Sequence, residues 1–523
     1  MVSNLKSEIL NHKFILTLDI GTSSTRAMLF DDRARAVPGI ESQIKYEMRT
    51  TPDGGVEADA DEMLGYAECA IDEMLARAGP VNIAAVASDS LVSNIVGVGE
   101  DGRAVTPVYT YADSRGARQV DDLRARLDER TTHQRVGTLF HTSYWPARLL
   151  CLARERAETF QRVKYWMSLG EYLLFRWTGA RACSYSVASW TGLLNRANLA
   201  WDADLLAQLP ITKDQLSPLV DHAAPVGALR AEYAARWQPL RSAKWFPTIG
   251  DGAAANIGSG CIDVSRIALT IGTSSAMRVV RAEEQGSKGA EGQNLAPAPL
   301  RPRTLAPIPR GLWSYRVTRE HELIGGALSE GGNLHGWMLN TLRFDDTLDL
   351  ERALAALEPD AHGLTILPFL AGERAPNWNA DARAAITGIG LNTQPIEILR
   401  AGLEAIAYRL GLIFELLRDV APDAREVIAS GGALMKSPTW IQIIADTLGV
   451  PVIASAEPEA TSRGAALLAL KALGVIDSLE NLPAELGADY KPDAARHEIY
   501  ARARERQKKL YNDVVKNALR SGR

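Results

Sequence analysis

The segment TLDIGTSSTRAMLFD at 17–31 is echoed by ALTIGTSSAMRVV at 268–280. In each, a short apolar run ends in Gly-Thr-Ser-Ser and a second apolar run follows. That is the pattern of a strand, a tight turn and a returning strand. One such turn constrains little, because Ser and Asp are ordinary turn and cap residues. Two of them, one domain length apart, ask for a shared physical job. The chain has 523 residues, more than one core holds, since single cores stop growing near ~250–300 residues. The expectation is an α/β protein of two halves, 1–249 and 250–523, each opening on a GTSS hairpin, with the ligand cleft between them.

Between the hairpins the pattern varies. Phe14–Asp19 and Arg26–Phe30 read as strands around a turn at Gly21–Thr25. Residues 59–78 have the apolar spacing of a helix, and VNIAAVASDS at 81–90 reads as a buried strand. From 117 to 244 the pattern is mostly helical, until Pro247–Gly260 breaks it with a glycine density that suits a hinge or a ligand loop. After the second hairpin, 283–312 is poorly periodic, and helices are expected at 321–341, 343–357 and 395–419. REVIASGGALMKSPTWIQIIADTLGVPV then reads as strand, glycine turn, helix and strand. TSRGAALLALKALG reads as a small-residue helix, and 495–520 as a charged one.

Composition narrows the function. A net charge of -5 argues against a dedicated nucleic-acid binder, though not against a small anionic substrate. Cys69, Cys151, Cys183 and Cys261 lack metal-ligand spacing and are too few for a disulfide scaffold. The opening MVSNLKSEILNHKF has no long apolar core, and no run approaches the ~18 apolar residues of a membrane span. A cytoplasmic protein without membrane or nucleic-acid partners is expected.

The chemistry lies in the glycine elements. At the first hairpin, Gly21 allows a close turn, and Thr22, Ser23 and Ser24 offer N–H and hydroxyl donors that cradle phosphate oxygens. Asp19, at the strand end, would orient a hydrated Mg²⁺, and Arg26 would support that carboxylate or meet phosphate. Gly272, Thr273, Ser274 and Ser275 repeat the set, so one nucleotide could be gripped from both sides. Neither loop is a GxxxxGK[ST] phosphate loop or a GxGxxG dinucleotide turn. In GDGAAANIGSG, Asp251 is flanked by glycines that let its carboxylate approach a substrate hydroxyl, accepting the proton as oxygen attacks a γ-phosphoryl group. The alanines after it would leave room for ligand. A loop or cap role for Asp251 is the alternative. Gly431 and Gly432 would let adenine or ribose lie against backbone before Ser437 starts a helix, although a plain strand–helix turn accounts for them too. Gly331 and Asn333 stand near a helix around ALSE and would touch the nucleotide, or Asn333 would cap a helix. His335 and Trp337 read as packing residues.

Taken together, these motifs resemble the FGGY carbohydrate kinases over about residues 13–516. AAITGIGLNTQPIEILRAGLE is similar to the second family signature, with Gly388, Glu397 and Glu404 in place. KYWMSLGEYLLFRWTG approximates the first. The resemblance implies an actin-like, ribonuclease-H-like two-domain ATPase fold with an interdomain cleft. It also implies ATP and Mg²⁺ as cofactors, Asp251 as catalytic base and Gly431–Lys436 as the adenosine loop. YRVTREHELIGGALSEGGNLHGW at 315–337 resembles gluconate kinases, which implies D-gluconate as acceptor and 6-phosphogluconate as product. The YADSR loop then places Asp113 and Arg115 on the sugar acid. SDSLVSN at 88–94 departs from the family, with Leu91 and Val92 where gluconate and xylulose kinases carry Met-His and glycerol kinases Asn-Gln-Arg-Glu. Asp89 is a candidate to supply the missing contact. The departure keeps open a kinase for xylulose, ribulose, glycerol or a tetritol. A non-catalytic, sugar-responsive ATPase-fold protein is the further alternative. A homodimer is compatible with the chain.

Overall fold

The computed structural model describes residues 13–282 and 305–516. Residues 1–12, most of the poorly periodic stretch at 283–312 and the end of the charged tail lie outside the described residues. Two sheets organise the rest. In the first, β1 (Phe14–Ile20) and β2 (Ser24–Phe30) form the expected hairpin, and β3 (Ala36–Lys45) continues the antiparallel meander. Helix α1 (Ala60–Ala78) begins where the Asp59 carboxylate accepts from the N–H groups of Asp61 and Glu62. It returns the chain to β4 (Ile83–Ser90), which pairs parallel with β1. On the other side of β4 lie β5 (Lys244–Trp245) and β6 (Ile249–Gly250), both parallel to it. Helix α2 (Asp251–Gly258) follows β6 directly.

The second sheet repeats this plan. β7 (Arg266–Ile271) and β8 (Ser275–Ala282) form the second hairpin, and β9 (His321–Leu328) pairs antiparallel with β8. Beyond helices α3 (Gly332–Thr341) and α4 (Pro395–Arg418), β10 (Glu426–Ser430) pairs parallel with β7. Helix α5 (Pro438–Leu448) leads to β11 (Val452–Ser455), parallel to β10. The order β6–β4–β1–β2–β3 is thus matched by β11–β10–β7–β8–β9, with Trp313–Arg316 and Leu486–Tyr490 added at the edges. The duplicated halves expected from the two hairpins are present, in the two-domain actin-like architecture that the family resemblance implies. Helix α6 (Ala460–Ala472) and the charged helix α7 (Ala494–Tyr511) complete the C-terminal part.

Three local expectations fail. Residues 321–328 are a strand, because HELIGGAL is buried along nearly its whole length. A strand buried on both faces loses the polar alternation that marks it in sequence. The helical pattern at 343–357 shrinks to Leu350–Ala355. Between 192 and 230 the chain is turns and two-residue strands, with a helix only at Ala203–Leu206, so the region to 244 is less helical than its apolar content suggests.

The alanines after Asp251 have a different role from the one expected. They pack α2 against α6. A Cβ on Gly258 would lie 1.7 Å from the Ala460 carbonyl oxygen, and one on Gly464 would lie 1.9 Å from that of Ala254. Small residues let the two backbones touch, and α6 itself rests on β1 and β4 of the first sheet. A helix from the second half therefore sits under the first. A second seam joins the halves through Arg196 and Glu322, 2.7 Å apart and almost fully buried, with Arg281 on the other Glu322 oxygen at 2.7 Å. Nearby, His133 Nε2 bonds to the Leu312 carbonyl at 2.8 Å.

Gly464→Val should lower the melting temperature sharply, through an overpacking cost of about 1–3 kcal/mol or more. Thermal denaturation followed by circular dichroism checks it, and an unchanged midpoint would show that the helices do not cross this closely.

Candidate active site

Parallel pairing sets the acidic side of the site. Asp19 and Asp89 are partners across β1 and β4, and Ile249 of β6 is the partner of Asp89 on the other side. In-register parallel strands send partnered side chains to the same face, so the two carboxyls meet at the carboxyl ends of their strands. Asp89 is fully buried, and its carboxyl is hydrogen-bonded to that of Asp19. Burial and the Asp19 carboxylate hold its pKa well above the usual carboxylate range. Asp19 is also raised by burial, offset in part by Asp89 and by Arg26.

Immediately after β6, Asp251 opens α2 and accepts from the Gly252 N–H at 2.6 Å. Burial pushes its pKa up to about 6, against the pull of Gly252 and Arg278. Gly250 leaves no room for a side chain, since a Cβ would lie 2.7 Å from Trp190 Nε1 and 2.8 Å from Val92 Cγ1. Val92, one of the two apolar departures, therefore abuts the turn that delivers Asp251. Leu91 is buried.

The hairpin loops are held from behind and open in front. Gly21 N–H donates to the Ser24 carbonyl and Gly272 N–H to that of Ser274, both at 3.0 Å. Tyr46 braces the first loop, its hydroxyl donating to the Gly21 carbonyl at 2.8 Å and its N–H to that of Ser23 at 3.0 Å. Among the described residues, the N–H groups of Thr22, Ser23, Thr273 and Ser274 donate to no protein acceptor. Such open donors suit anionic oxygens.

The three glycine elements of the second half converge. Gly332 N–H donates to the Gly272 carbonyl at 2.8 Å and Asn333 N–H to that of Thr273 at 3.0 Å. A Cβ on Gly331 would lie 2.7 Å from Ser274 backbone, and one on Gly431, whose φ is +99°, 2.4 Å from the Ile271 carbonyl oxygen. Gly432 has open space around it. The glycines at 325–332 therefore end a strand and buttress the second loop. They do not bound a helix around ALSE. The Asn333 amide is spent locally, accepting from Gly331 and Leu334 N–H at 2.8 Å and donating to the Ser329 carbonyl at 3.1 Å. Ser437 caps α5 and donates to Glu351 at 2.8 Å. His335 packs beside Trp440 as expected, whereas Trp337 is 43% exposed.

Other candidates are committed elsewhere. Arg26 forms an ion pair with Glu459, the residue that precedes α6, and so ties the halves instead of facing a phosphate. Asp113 and Arg115 pair with each other, and Arg115 also reaches Glu57 at 2.9 Å. It is Tyr111 of the same loop that feels Asp251 and Arg374. Asp360, His362 and Glu404 come close enough to hold an ion, but Glu404 is already bonded to His362, Arg400, Tyr408 and Tyr500. Glu397 closes a capping box with Gln394 at the start of α4, so both signature glutamates have structural work.

The sequence reading missed the basic side of the site. Arg278 and Arg374 lie in the electrostatic reach of one another and of Asp251 or Tyr111. Each has a buried Nε with no partner, and neither forms an ion pair among the described residues. Arg374 stands 6.0 Å from the Tyr111 ring centroid. Aromatic rings wall the region: Tyr315 stacks on Trp190 and bonds to the Tyr144 hydroxyl at 2.5 Å, and His141 meets Trp378 edge-on. A lone Arg inside the apolar run SSAMRVV is the signal that would have found Arg278, since a charge in a buried strand needs a reason. A cavity of about 1130 Å³, lined in part by His141 and Trp378, includes neither Asp251 nor a GTSS loop.

A site made of two open amide loops, a glycine-delivered carboxylate and an acid pair belongs to phosphoryl transfer on a two-domain ATPase frame. Comparison with known proteins gives the class. The N-terminal domain of the FGGY family of carbohydrate kinases matches residues 14–258 and its C-terminal domain residues 267–473, so the chain belongs to that family of kinases. A gluconokinase from Bacillus subtilis (strain 168) is 26% identical over 489 residues, covering 91% of each chain. A glycerol kinase from Stenotrophomonas maltophilia (strain R551-3) is 26% identical over 505 residues, covering 94% of this chain and 96% of its own. Among solved structures, gluconate kinase from Lactobacillus acidophilus superposes with a TM-score of 0.86 at 26% identity, covering 96% of this chain and 98% of its own. A ligand-bound xylulose kinase from the same organism gives 0.85 at 27%, with the same coverage.

Gly332→Val should push the second loop away from α3, because its Cβ would lie 2.5 Å from the Gly272 carbonyl oxygen. The KM for nucleotide is expected to rise by about tenfold with the acceptor KM little changed, as steady-state kinetics in both substrates will measure.

Proposed function

We propose that the protein transfers the γ-phosphoryl group of ATP to the terminal hydroxyl of an open-chain sugar acid, D-gluconate first, giving 6-phosphogluconate. The observation that carries this reading is the pair of guanidinium groups Arg278 and Arg374, in electrostatic reach of one another, Arg278 acting on Asp251 and Arg374 on Tyr111, with neither in an ion pair among the described residues. Arg278 follows the second GTSS loop by four positions and suits the transferring phosphoryl group. Arg374 suits the carboxylate of an acidic acceptor, which removes the cost of a buried cation left unpaired. The gluconokinase and gluconate kinase relatives bear names that agree with this. A neutral polyol is the second reading, favoured by the apolar Val92 against the turn that delivers Asp251 and by the glycerol and xylulose kinase relatives.

In this reading the second half binds the nucleotide along Gly272–Ser274, Gly331–Asn333 and Gly431–Gly432, and the first half contributes the Gly21–Ser24 loop. The division between halves falls at Gly250, where β6 gives way to Asp251. The Gly252 N–H fixes one oxygen of Asp251 and leaves the other to take the proton from the attacking hydroxyl. The free N–H groups of both loops receive the negative charge that develops on the phosphoryl oxygens. Asp113, both of whose oxygens already accept from Arg115, would reach acceptor hydroxyls only through its remaining lone pairs, and Tyr111 would line the same approach. Asp19 fits a hard divalent cation, since its partly exposed carboxylate stands at the strand end from which the first loop departs. Mg²⁺ bound there would screen the phosphates. Closure of the halves about the α2–α6 crossing would exclude water from the reaction.

Asp251→Asn should lower kcat by about a hundredfold or more while nucleotide affinity holds. Because the base must be ionised, wild-type kcat should rise with pH through about 6, the value to which burial pushes Asp251. Stopped-flow or coupled rates across pH 5–8 test both, and a flat profile or an active variant rules Asp251 out as base. A coupled ADP-release assay across D-gluconate, xylulose, ribulose, glycerol and erythritol tests the acceptor. Saturation by gluconate is expected, with Arg374→Met raising its KM about tenfold or more and leaving any neutral acceptor unaffected.

A further inference from the structure

We propose that Trp190 is a positioning residue for Asp251, the edge of its indole holding the turn that carries the carboxylate on both sides of it. The inference rests on the kinase reading above, in which Asp251 is the base, and names a residue to which that reading gives no part.

The need for such a residue follows from how Asp251 is bound. Its one hydrogen-bond donor among the described residues is the N–H of Gly252, the next residue in the chain. A bond of that kind moves with the backbone and ties the carboxylate to nothing outside the turn. What fixes the turn comes from the short helix Tyr185–Thr191 of the first half. There the Ser186 hydroxyl accepts from the Gly250 N–H at 3.1 Å. Trp190 follows Ser186 by four positions and so lies on the same face of that helix. One long edge of its ring runs along the turn. A Cβ on Gly250 would lie 2.7 Å from Trp190 Nε1, and one on Gly252 would lie 3.2 Å from Cη2 and 3.3 Å from Cζ2. The indole thus requires the glycines on either side of Asp251, leaving no room for a side chain at 250 and little at 252.

The ring is itself held in place. Trp190 is buried, and its carbonyl accepts from the Ser93 hydroxyl at 2.7 Å. Its face stacks on Tyr315 of the second half, with ring centroids 3.6 Å apart and planes 22° from parallel. Trp313 stacks on Tyr315 in turn at 4.2 Å, and the Tyr315 hydroxyl bonds to that of Tyr144. One residue before Trp190, the Ser189 hydroxyl accepts from the Arg316 N–H at 2.8 Å. Both halves therefore pin the indole, and the indole pins the turn. Placement matters at this point, because a displacement of about 1 Å can cost a hundredfold in rate. A smaller aliphatic side chain at 190 would leave a void beside Gly250 into which the turn relaxes. The indole N–H meets no acceptor among the described residues, so the ring acts by its shape and a phenyl ring can stand in for most of it.

The test is the effect of Trp190→Leu on kcat in two backgrounds, wild type and Asp251→Asn, using the full chain and D-gluconate or whichever acceptor of the panel above saturates. In wild type, kcat should fall by about tenfold or more, with both KM values within about twofold. Trp190→Phe should hold kcat within about threefold of wild type. In Asp251→Asn, whose residual turnover is read from product formed over long incubations, Trp190→Leu should change the rate by less than about twofold. A residue that acts through the carboxylate has nothing left to place there. Thermal melts establish that each protein is folded, and should Leu fail to fold at this position, Trp190→Met serves in its place. Equal losses in the two backgrounds, or a wild-type kcat indifferent to Leu, would make Trp190 a packing residue and overturn the proposal while leaving the kinase reading standing. Full turnover by Asp251→Asn itself would overturn both.

Discussion

The α2–α6 crossing is the contact from which the rest of the geometry follows. Two backbones come together at Gly258 with Ala460 and at Gly464 with Ala254, at distances no side chain could share. Because α2 begins at Asp251, the crossing fixes where that carboxylate stands relative to both sheets. Because α6 begins just after Glu459, it also fixes the partner that diverts Arg26. One close helix pair thus positions Asp251, places the partner of Arg26 and joins the halves.

Charge is distributed around this crossing unequally. The first sheet gathers Asp19, Asp89 and Asp251 within mutual influence, and burial raises all three. The second half contributes Arg278 and Arg374 with unsatisfied Nε atoms. Each side stores uncompensated charge that a protein built only for stability would avoid. A nucleotide, a cation and an acidic acceptor would satisfy both sides at once. The seam through Arg196 and Glu322 shows the contrast, since there the buried acid has Arg196 and Arg281 on its two oxygens.

Much of the frame was legible in the chain. The two GTSS hairpins, α1, the strand at 83–90 and the sequence from 426 to 455 all formed where local pattern put them. Each carries its own signal: glycine at a turn or apolar spacing along a face. The failures were of other kinds. HELIGGAL hid a strand because burial on both faces erased its alternation. The alanines after Asp251 were read as space for a ligand, when their small size serves a helix some two hundred residues away in sequence. At YADSR the loop was located correctly. Its pairing of Asp113 with Arg115 and Glu57, and the turn of Tyr111 toward Asp251, could not be read there.

The amino-acid sequence alone established the duplicated hairpins, the kinase family they resemble and the carboxylates at 19, 89 and 251, because each follows from residue types within a few positions of one another. Only the folded chain decided which groups share a site. Asp89 meets Asp19 through strand register, Arg26 leaves for Glu459, Arg278 comes within reach of Asp251 from more than 25 positions downstream, and Arg374 comes to Tyr111 from more than 250. Local propensity acts over a turn or a strand. Which charges are left unpaired depends on the packing of surfaces distant in sequence, and no short window of residues contains that information.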